Sequence, residues 1–548
     1  SIRNFRLIKN IFNSNKGRKA VNIDKDLASI QEARNLCKLA KEAQLEFKNY
    51  NQQQVDKIVK AMTEAAFNAS ERLAKMAYEE TGFGKWQDKK IKNIFASKFV
   101  YESIKDLKTV GVINLLHDGK IVEIAEPMGV VAALIPSTNP TSTSFYKILI
   151  SVKGRNGIVA TPHPRSINCT LEAFRIMIDA AEKAGAPHNL IACISNPTME
   201  GTNELMRNKN ISVILATGSS PMVKAAYSSG TPAYGVGPGN VPAFIERTAN
   251  IKKAVADIFL GKTFDNGVLC STEASVIVDS PINNIVKEEF IKRGGYFIQN
   301  EDKIKLERYM FGKGTINPEV VGKPAQFIAQ KCGISVLPNT EVIIAELNGV
   351  GNQYPLSHEK LSPVLTYYVE DGWRNACHRC IELLEYGGLG HTLVIHSTDK
   401  DIIMKFALEK PALRILVNTV GALGAVGFTN HLAPSLTLGP GTFGGSIISE
   451  NVTAKHLINI KRLAFESLPL NDKDGNKIPL PEFTFDTEVV NQNKTKSWMD
   501  EIDERIRLKA GNKPVFEKDS KPATSKQAVF GNSMTEEDIN RIVSSFKL

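Results

Sequence analysis

Cys270 lies in the run Thr263-Phe264-Asp265-Asn266-Gly267-Val268-Leu269-Cys270-Ser271, a loop of small and turn-forming residues between a helical stretch and an apolar strand. A cysteine attacks through its thiolate. With an ordinary pKa of roughly 8.5 a free thiol supplies only a few per cent of that form at neutral pH, so a nucleophilic Cys270 needs help from its surroundings. The alternative is a buried structural cysteine. A second chemical signal is Ala216-Thr217-Gly218-Ser219-Ser220-Pro221, which follows the strand Val213 to Leu215 and opens a helix with Pro221 in its first turn. Free backbone N–H groups there could meet a phosphate, or the segment is a plain strand-to-helix turn. Gly235-Val236-Gly237-Pro238-Gly239 lacks the full G-x-G-x-x-G spacing and is weaker. Cys377-His378-Arg379-Cys380 has no second pair at zinc-site spacing, so it reads as two helical cysteines one turn apart, and no metal site is expected.

The elements that must hold these residues follow from periodicity. Residues 25 to 108 are expected to be helical, with apolar spacing in Ile30 to Phe47 and Val55 to Tyr78. Asp118-Gly119 between two apolar runs marks a hairpin over about 110–125, because these residues accept positive φ. Apolar strands and helical segments then alternate through Ser228, and again from about Ala254 to Leu438, the pattern of α/β domains with mainly parallel sheets. The chain has 548 residues, 42% hydrophobic and 23% charged, which is ordinary for a soluble protein of two or more domains. No apolar run is long enough to cross a bilayer, and seven scattered cysteines with no signal-type h-region imply a reducing, cytoplasmic setting. The net charge is +10, but six basic residues (Arg3, Arg6, Lys9, Lys16, Arg18, Lys19) fall within residues 1–22, so no nucleic-acid stripe is expected on the body.

Seven segments occur in an order that resembles CoA-acylating aldehyde dehydrogenases: Ile135 to Pro140, Thr161 to Arg165, Ile214 to Gly218, Gly235 to Asn240, Phe264 to Cys270, His358 to Pro363, and Ala433 to Gly439. The likeness covers about residues 25 to 465 and includes the aldehyde dehydrogenase half of bifunctional aldehyde/alcohol dehydrogenases and the bacterial microcompartment aldehyde dehydrogenases. An iron-dependent alcohol dehydrogenase half is not expected. The resemblance implies an aldehyde dehydrogenase fold with a Rossmann-like nucleotide-binding domain, an α/β catalytic domain and a β-hairpin oligomerisation element. It also implies Cys270 as the nucleophile, Asn139 as the oxyanion donor, and His358 as a candidate acid/base for the thiol. Thr217, Gly218, Ser219, Glu359 and Pro363 would hold a nicotinamide cofactor, with Glu359 on the nicotinamide ribose. NAD is the first expectation and NADP the second. The loop Leu438 to Ser446 would shape the substrate pocket.

Two departures from the wider superfamily set the expected reaction. Hydrolytic members carry a glutamate that activates water, whereas Ala233 to Asn240 holds no acid here. General-base help is worth about 10² to 10⁴-fold, so the acyl-enzyme should await a better nucleophile, and the thiol of coenzyme A fits. Where many relatives have Lys-Pro-Ser-Glu, this chain has Thr161-Pro162-His163-Pro164-Arg165; His163 and Arg165 could meet a nucleotide phosphate from the cofactor or CoA. The expected substrate is a short aldehyde, acetaldehyde or propionaldehyde, with sulfoacetaldehyde as the charged alternative. A hydrolytic aldehyde dehydrogenase and a non-catalytic assembly protein on the same fold are the competing functions.

The expected layout is a basic arm over 1–24, a nucleotide-binding domain over 25–245, a catalytic domain over 246–438, and a return to the nucleotide-binding and oligomerisation region over 439–470. An extension over 471–509, a linker over 510–533 and an amphipathic docking helix over 534–548 follow. In that last segment Thr535 is an N-cap and Ile539, Ile542, Val543 and Phe546 share one face. Such ends resemble encapsulation peptides, so a microcompartment shell protein is the expected partner, beside the aldehyde, CoA, and the chain's own copies in a homodimer or homotetramer. The arm, with Ile2, Phe5, Ile8 and Phe12 on one face, is read as a docking segment or a solvated extension.

Overall fold

The computed structural model of the protein describes residues 24–481. The basic arm, the linker and the amphipathic segment 534–548 lie outside the described residues, as does most of the 471–509 extension. The described residues up to Phe465 belong to one unit and those from Glu466 to a second. In the second, Asp472 accepts from the N–H groups of Asp474 and Asn476 at 2.9 and 2.8 Å, making a short turn.

The first unit opens with helices Lys25–Phe47, Gln52–Asn68, Ser70–Thr81 and Trp86–Ile94. Asp24 caps the first through the Asp26 N–H at 2.8 Å, and Asn51 with Gln54 forms a reciprocal capping box on the second, so local side chains start both helices. The hairpin strands β1 (Gly111–Leu116) and β2 (Ile121–Pro127) are joined through His117, Asp118 and Gly119, all at positive φ.

β3 (Val130–Ile135), β4 (Gly157–Pro162), β5 (Ile191–Cys193), β6 (Ile211–Thr217) and β7 (Ala233–Val236) form a parallel sheet of order β5-β4-β3-β6-β7. β3 and β4 are buried throughout, as strands covered by helices on both faces must be. The chain leaves β3 toward β4 on one side and returns with β6 on the other. The crevice at the carboxyl ends of β3 and β6 is therefore a topological switch point, where ligands bind in open α/β sheets. Lys147, fully buried on helix Pro140–Lys153, spans its base by donating to the carbonyls of Leu134 and Leu215, each at 2.8 Å. With no carboxylate to pair with, its amine is pushed well below the usual lysine range by burial.

β8 (Val241–Ile245), β9 (Glu273–Asp279), β10 (Gly295–Phe297), β11 (Val342–Glu346), β12 (Val364–Glu370), β13 (Leu393–His396) and β14 (Ile415–Val417) form a second parallel sheet, ordered β10-β11-β12-β9-β8-β13-β14. The boundary drawn at 245/246 from sequence places β8 on the wrong side. Val241–Ile245 pairs with β9 and β13, so the two sheets part between Val236 and Val241. After Leu438 the chain returns to the first sheet's helices, where the Tyr146 hydroxyl donates to the Val452 carbonyl at 2.7 Å. β15 (Ile458–Ala464) then pairs antiparallel with β2, completing a three-stranded sheet β1-β2-β15 with the hairpin. Among the described residues no helix is long and apolar enough to cross a membrane.

Candidate active site

A cavity of about 700 Å³ lies between the two large sheets. The loops after β3, β4 and β6 line one side. The loops before β8, β9 and β12 line the other, so carboxyl ends of the first sheet face amino ends of the second. Cys270, Asn139, His358, Glu359, Thr217, Gly218, Ser219 and His163 all line this one cavity, although they span 220 positions of sequence from Asn139 to Glu359. Two expected residues do not. Arg165 is exposed outside the lining, held by a turn in which its N–H donates to His163 Nδ1 at 3.1 Å. Pro363 leads into β12, and its carbonyl accepts from Ile343 N–H at 3.0 Å, which is sheet construction and not ligand contact. The loop Leu438 to Ser446 also lies outside the lining; Arg414 donates to the Gly439 carbonyl at 2.6 Å.

Cys270 is half-buried just before β9. Burial pushes its thiol up to about 12, with the Glu359 carboxylate adding; the Arg414 guanidinium and the backbone N–H groups of Cys270 and Ser271 act the other way. Glu359 is the one acid of the lining, and its Oε1 accepts from Gly239 N–H at 2.8 Å. Burial raises its pKa to about 7. Gly239 has to be glycine, because a Cβ there would stand 1.8 Å from the Cys270 carbonyl oxygen and 3.3 Å from His391 Cε1. One glycine thus joins Glu359, the backbone of Cys270 and a histidine that sequence reasoning missed.

His391 is buried, with Nδ1 3.0 Å from Thr392 Oγ1 and no hydrogen-bond partner for Nε2. Burial, and the nearby Arg414, lower its pKa to about 3, so it is a neutral imidazole with a free ring nitrogen beside the Cys270 loop. Its only sequence signal is the glycine-rich Gly387-Gly388-Leu389-Gly390 before it. His358 packs its ring near Phe311 and edge-on to Tyr386, at centroid distances of 6.0 and 5.3 Å. Burial lowers its pKa as well.

The loop carrying Cys270 is clamped by charge. Asp265 and Asn266 take left-handed φ of 48° and 53°. Asp265 is fully buried and accepts from the Lys89 ammonium at 3.0 Å, from Lys92, and from Lys85 N–H at 2.7 Å. Lys92 also donates to Asn139 Oδ1. Burial pulls the Lys92 ammonium down to about 8. Asn139 precedes helix Pro140–Lys153 and its side chain makes no capping bond to it.

A nicotinamide cofactor fits the residues present at the switch point. Thr217 Oγ1 is buried in the cavity wall without a hydrogen-bond partner, and the helix Ser220–Tyr227 begins immediately after it with free N–H groups.

Comparison with known proteins matches this arrangement to a family. The aldehyde dehydrogenase family model matches residues 11–297, and the solved acetylating aldehyde dehydrogenase of Geobacillus thermoglucosidasius is 50% identical with a TM-score of 0.81, covering 82% of this chain and 100% of that one. The chain belongs to the aldehyde dehydrogenase family. It has the aldehyde dehydrogenase fold. The aldehyde-alcohol dehydrogenase of Clostridium acetobutylicum is 45% identical over 443 residues, 80% of this chain and 51% of that protein. The chain thus spans about half the length of the first curated relatives it matches. A propionaldehyde dehydrogenase of Rhodopseudomonas palustris, solved with bound CoA and an acylated cysteine, is 27% identical with a TM-score of 0.71, covering 79% of this chain and 97% of that one.

Replacing Glu359 by Gln removes the negative charge that opposes thiolate formation. Carbamidomethylation of Cys270 by iodoacetamide, read by peptide mass, should then be faster, by about tenfold for each unit the thiol pKa falls. The difference should open as pH rises through about 7, where Glu359 ionises, and close below it. Equal rates across pH 7 to 10 would contradict the coupling.

Proposed function

We propose that this aldehyde dehydrogenase is CoA-acylating: aldehyde, CoA and NAD⁺ (or NADP⁺) give acyl-CoA and NAD(P)H through a thioester on Cys270. The observation that carries the reading is the composition of the cavity. Cys270 shares it with Asn139 and the Thr217–Ser219 turn, and the stretch Ala233 to Asn240, where hydrolytic members carry a water-activating glutamate, holds no acid. The acetylating relative and the relative with bound CoA support the same reading.

Cys270 Sγ adds to the aldehyde carbon, and the Asn139 amide with the Cys270 N–H receives the developing oxyanion, an interaction worth about 10² to 10³-fold in rate per donor. The cofactor, held by Thr217, Gly218, Ser219 and Glu359, supplies the hydride acceptor. Cys270 is then left as a thioester, and the CoA thiol displaces it with no net loss of a thioester bond. His391, whose Nε2 has no hydrogen-bond partner and whose ring lies beside the Cys270 loop, is the candidate by position to take a thiol proton, whereas the ring of His358 is packed against two aromatic side chains. No lysine or arginine lines the cavity, which supports an uncharged short aldehyde over sulfoacetaldehyde. The β1-β2-β15 sheet leaves Val112, Leu115, Ile460 and Leu463 exposed, which supports self-association through it into a homodimer or homotetramer.

Given aldehyde and NAD⁺ without CoA, the protein should release a burst of about one equivalent of NADH per site and then stall until CoA is added. Cys270→Ala should abolish the burst. Sustained turnover without CoA would mean that water is activated, and the hydrolytic reading would replace this one.

The helical spacing of Ile539, Ile542, Val543 and Phe546 in the sequence supports docking to a microcompartment shell protein, and hence a place inside such a compartment. A fluorescent protein carrying residues 510–548 should co-localise with shells and lose that on Ile542→Glu with Phe546→Glu; diffuse signal from the unaltered fusion would exclude shell docking.

A further inference from the structure

Lys92 lies on the helix Trp86–Ile94, whose lysines at 89 and 92 turn inward where a lysine-rich helix would ordinarily present them to water. Its side chain is almost fully buried, and its ammonium donates to Asp265 on the Cys270 loop and to the side-chain oxygen of Asn139. An ammonium is a donor with no acceptor capacity, so the atom of Asn139 facing it has to be the oxygen. That fixes which way the amide points. Of the two N–H bonds on Asn139 Nδ2, one goes to Thr138 Oγ1 at 3.1 Å and the other has no hydrogen-bond partner among the described residues.

We infer that Lys92 is a positioning residue for the Asn139 amide, holding its oxygen so that one N–H stays free for the oxygen of a substrate joined to Cys270. The contact does two further things. A cation on the amide oxygen draws charge from the N–H and strengthens it as a donor. And because the same ammonium pairs with Asp265, five residues before Cys270, the nucleophile's loop and the oxyanion donor are referenced to one atom, Lys92 Nζ. The helix is itself fixed to the first turn of Pro140–Lys153, where Thr141 Oγ1 donates to Asn93 Oδ1 at 2.8 Å. Lys89 completes the pairing of Asp265 without touching Asn139; its second bond goes to the Thr138 carbonyl at 3.3 Å.

This assignment rests on the roles of Cys270 and Asn139 proposed above, but it concerns only hydride formation, so its test needs no CoA. The NADH burst on mixing protein with acetaldehyde and NAD⁺ is measured in wild type, Lys92→Met, Asn139→Ala and the double variant. Asn139→Ala should slow the burst about 10² to 10³-fold and Lys92→Met at least about tenfold, through kcat with KM little changed. In the Asn139→Ala background the Lys92→Met change should cost less than about twofold, because a residue that acts through Asn139 has nothing left to position. A burst of wild-type rate in Lys92→Met, or the same fold-loss in both backgrounds, would overturn the assignment while leaving the proposed function intact. A wild-type protein with no burst would overturn the Cys270 reading and this assignment with it. Should Lys92→Met fail to fold, Lys92→Gln, which keeps a donor for Asp265, supplies the cycle, and its loss must again vanish beside Asn139→Ala.

Discussion

A single buried carboxylate, Asp265, holds the catalytic loop in register with the rest of the site. It sits at left-handed φ within the short 3-10 segment Phe264–Gly267, fully removed from water, and two lysines and a backbone N–H satisfy it. Charges are not buried without partners, and breaking such a pair typically costs about 3–5 kcal/mol, so the loop has one arrangement in which Asp265 is paired and no cheap alternative. Gly84 is part of the same constraint: its φ is +73°, and a Cβ there would fall 1.7 Å from Asp265 Oδ1. The loop is thus seated against the turn before helix Trp86–Ile94, which also faces Asn139.

The larger architecture brings two kinds of sheet end together. The first sheet offers the carboxyl ends of β3 and β6 at a switch point, with a helix start and an unpartnered Thr217 hydroxyl suited to a nucleotide. The second offers loops before β8, β9 and β12, which carry Gly239, Cys270 and Glu359. Gly239 is where these three loops touch, and a side chain there would separate them. Electrostatics at this junction keeps the resting thiol protonated, since burial and Glu359 together outweigh Arg414.

Much of this was legible in the residues. Asp118-Gly119 announces the hairpin, and the buried strands β3 and β4 are readable as short continuous apolar runs. The order of seven segments points to the family and to Cys270, Asn139 and Glu359. What sequence could not show are relations across long separations. Nothing in the sequence around Lys89 and Lys92 links them to Asp265, more than 170 positions away, and only folding places it beneath them. His391 follows four residues that read as a turn, and its lack of a partner is a property of packing. Arg165 and Pro363 stand in matching segments, yet a segment's match does not say which of its side chains faces the cavity. Val241–Ile245 is apolar enough for either sheet; its pairing with β9 and β13 depends on strands still to come in the chain.

The central claim is that carbon is carried on Cys270 as a thioester that CoA, and not water, discharges. It is tested most directly by mass spectrometry of the protein quenched after exposure to propionaldehyde and NAD⁺ without CoA. The account requires a propionyl group on the peptide containing Cys270, persisting for many times the burst period and disappearing on addition of CoA with appearance of propionyl-CoA. An unmodified Cys270 peptide, or an adduct that disappears as fast without CoA as with it, would contradict the account.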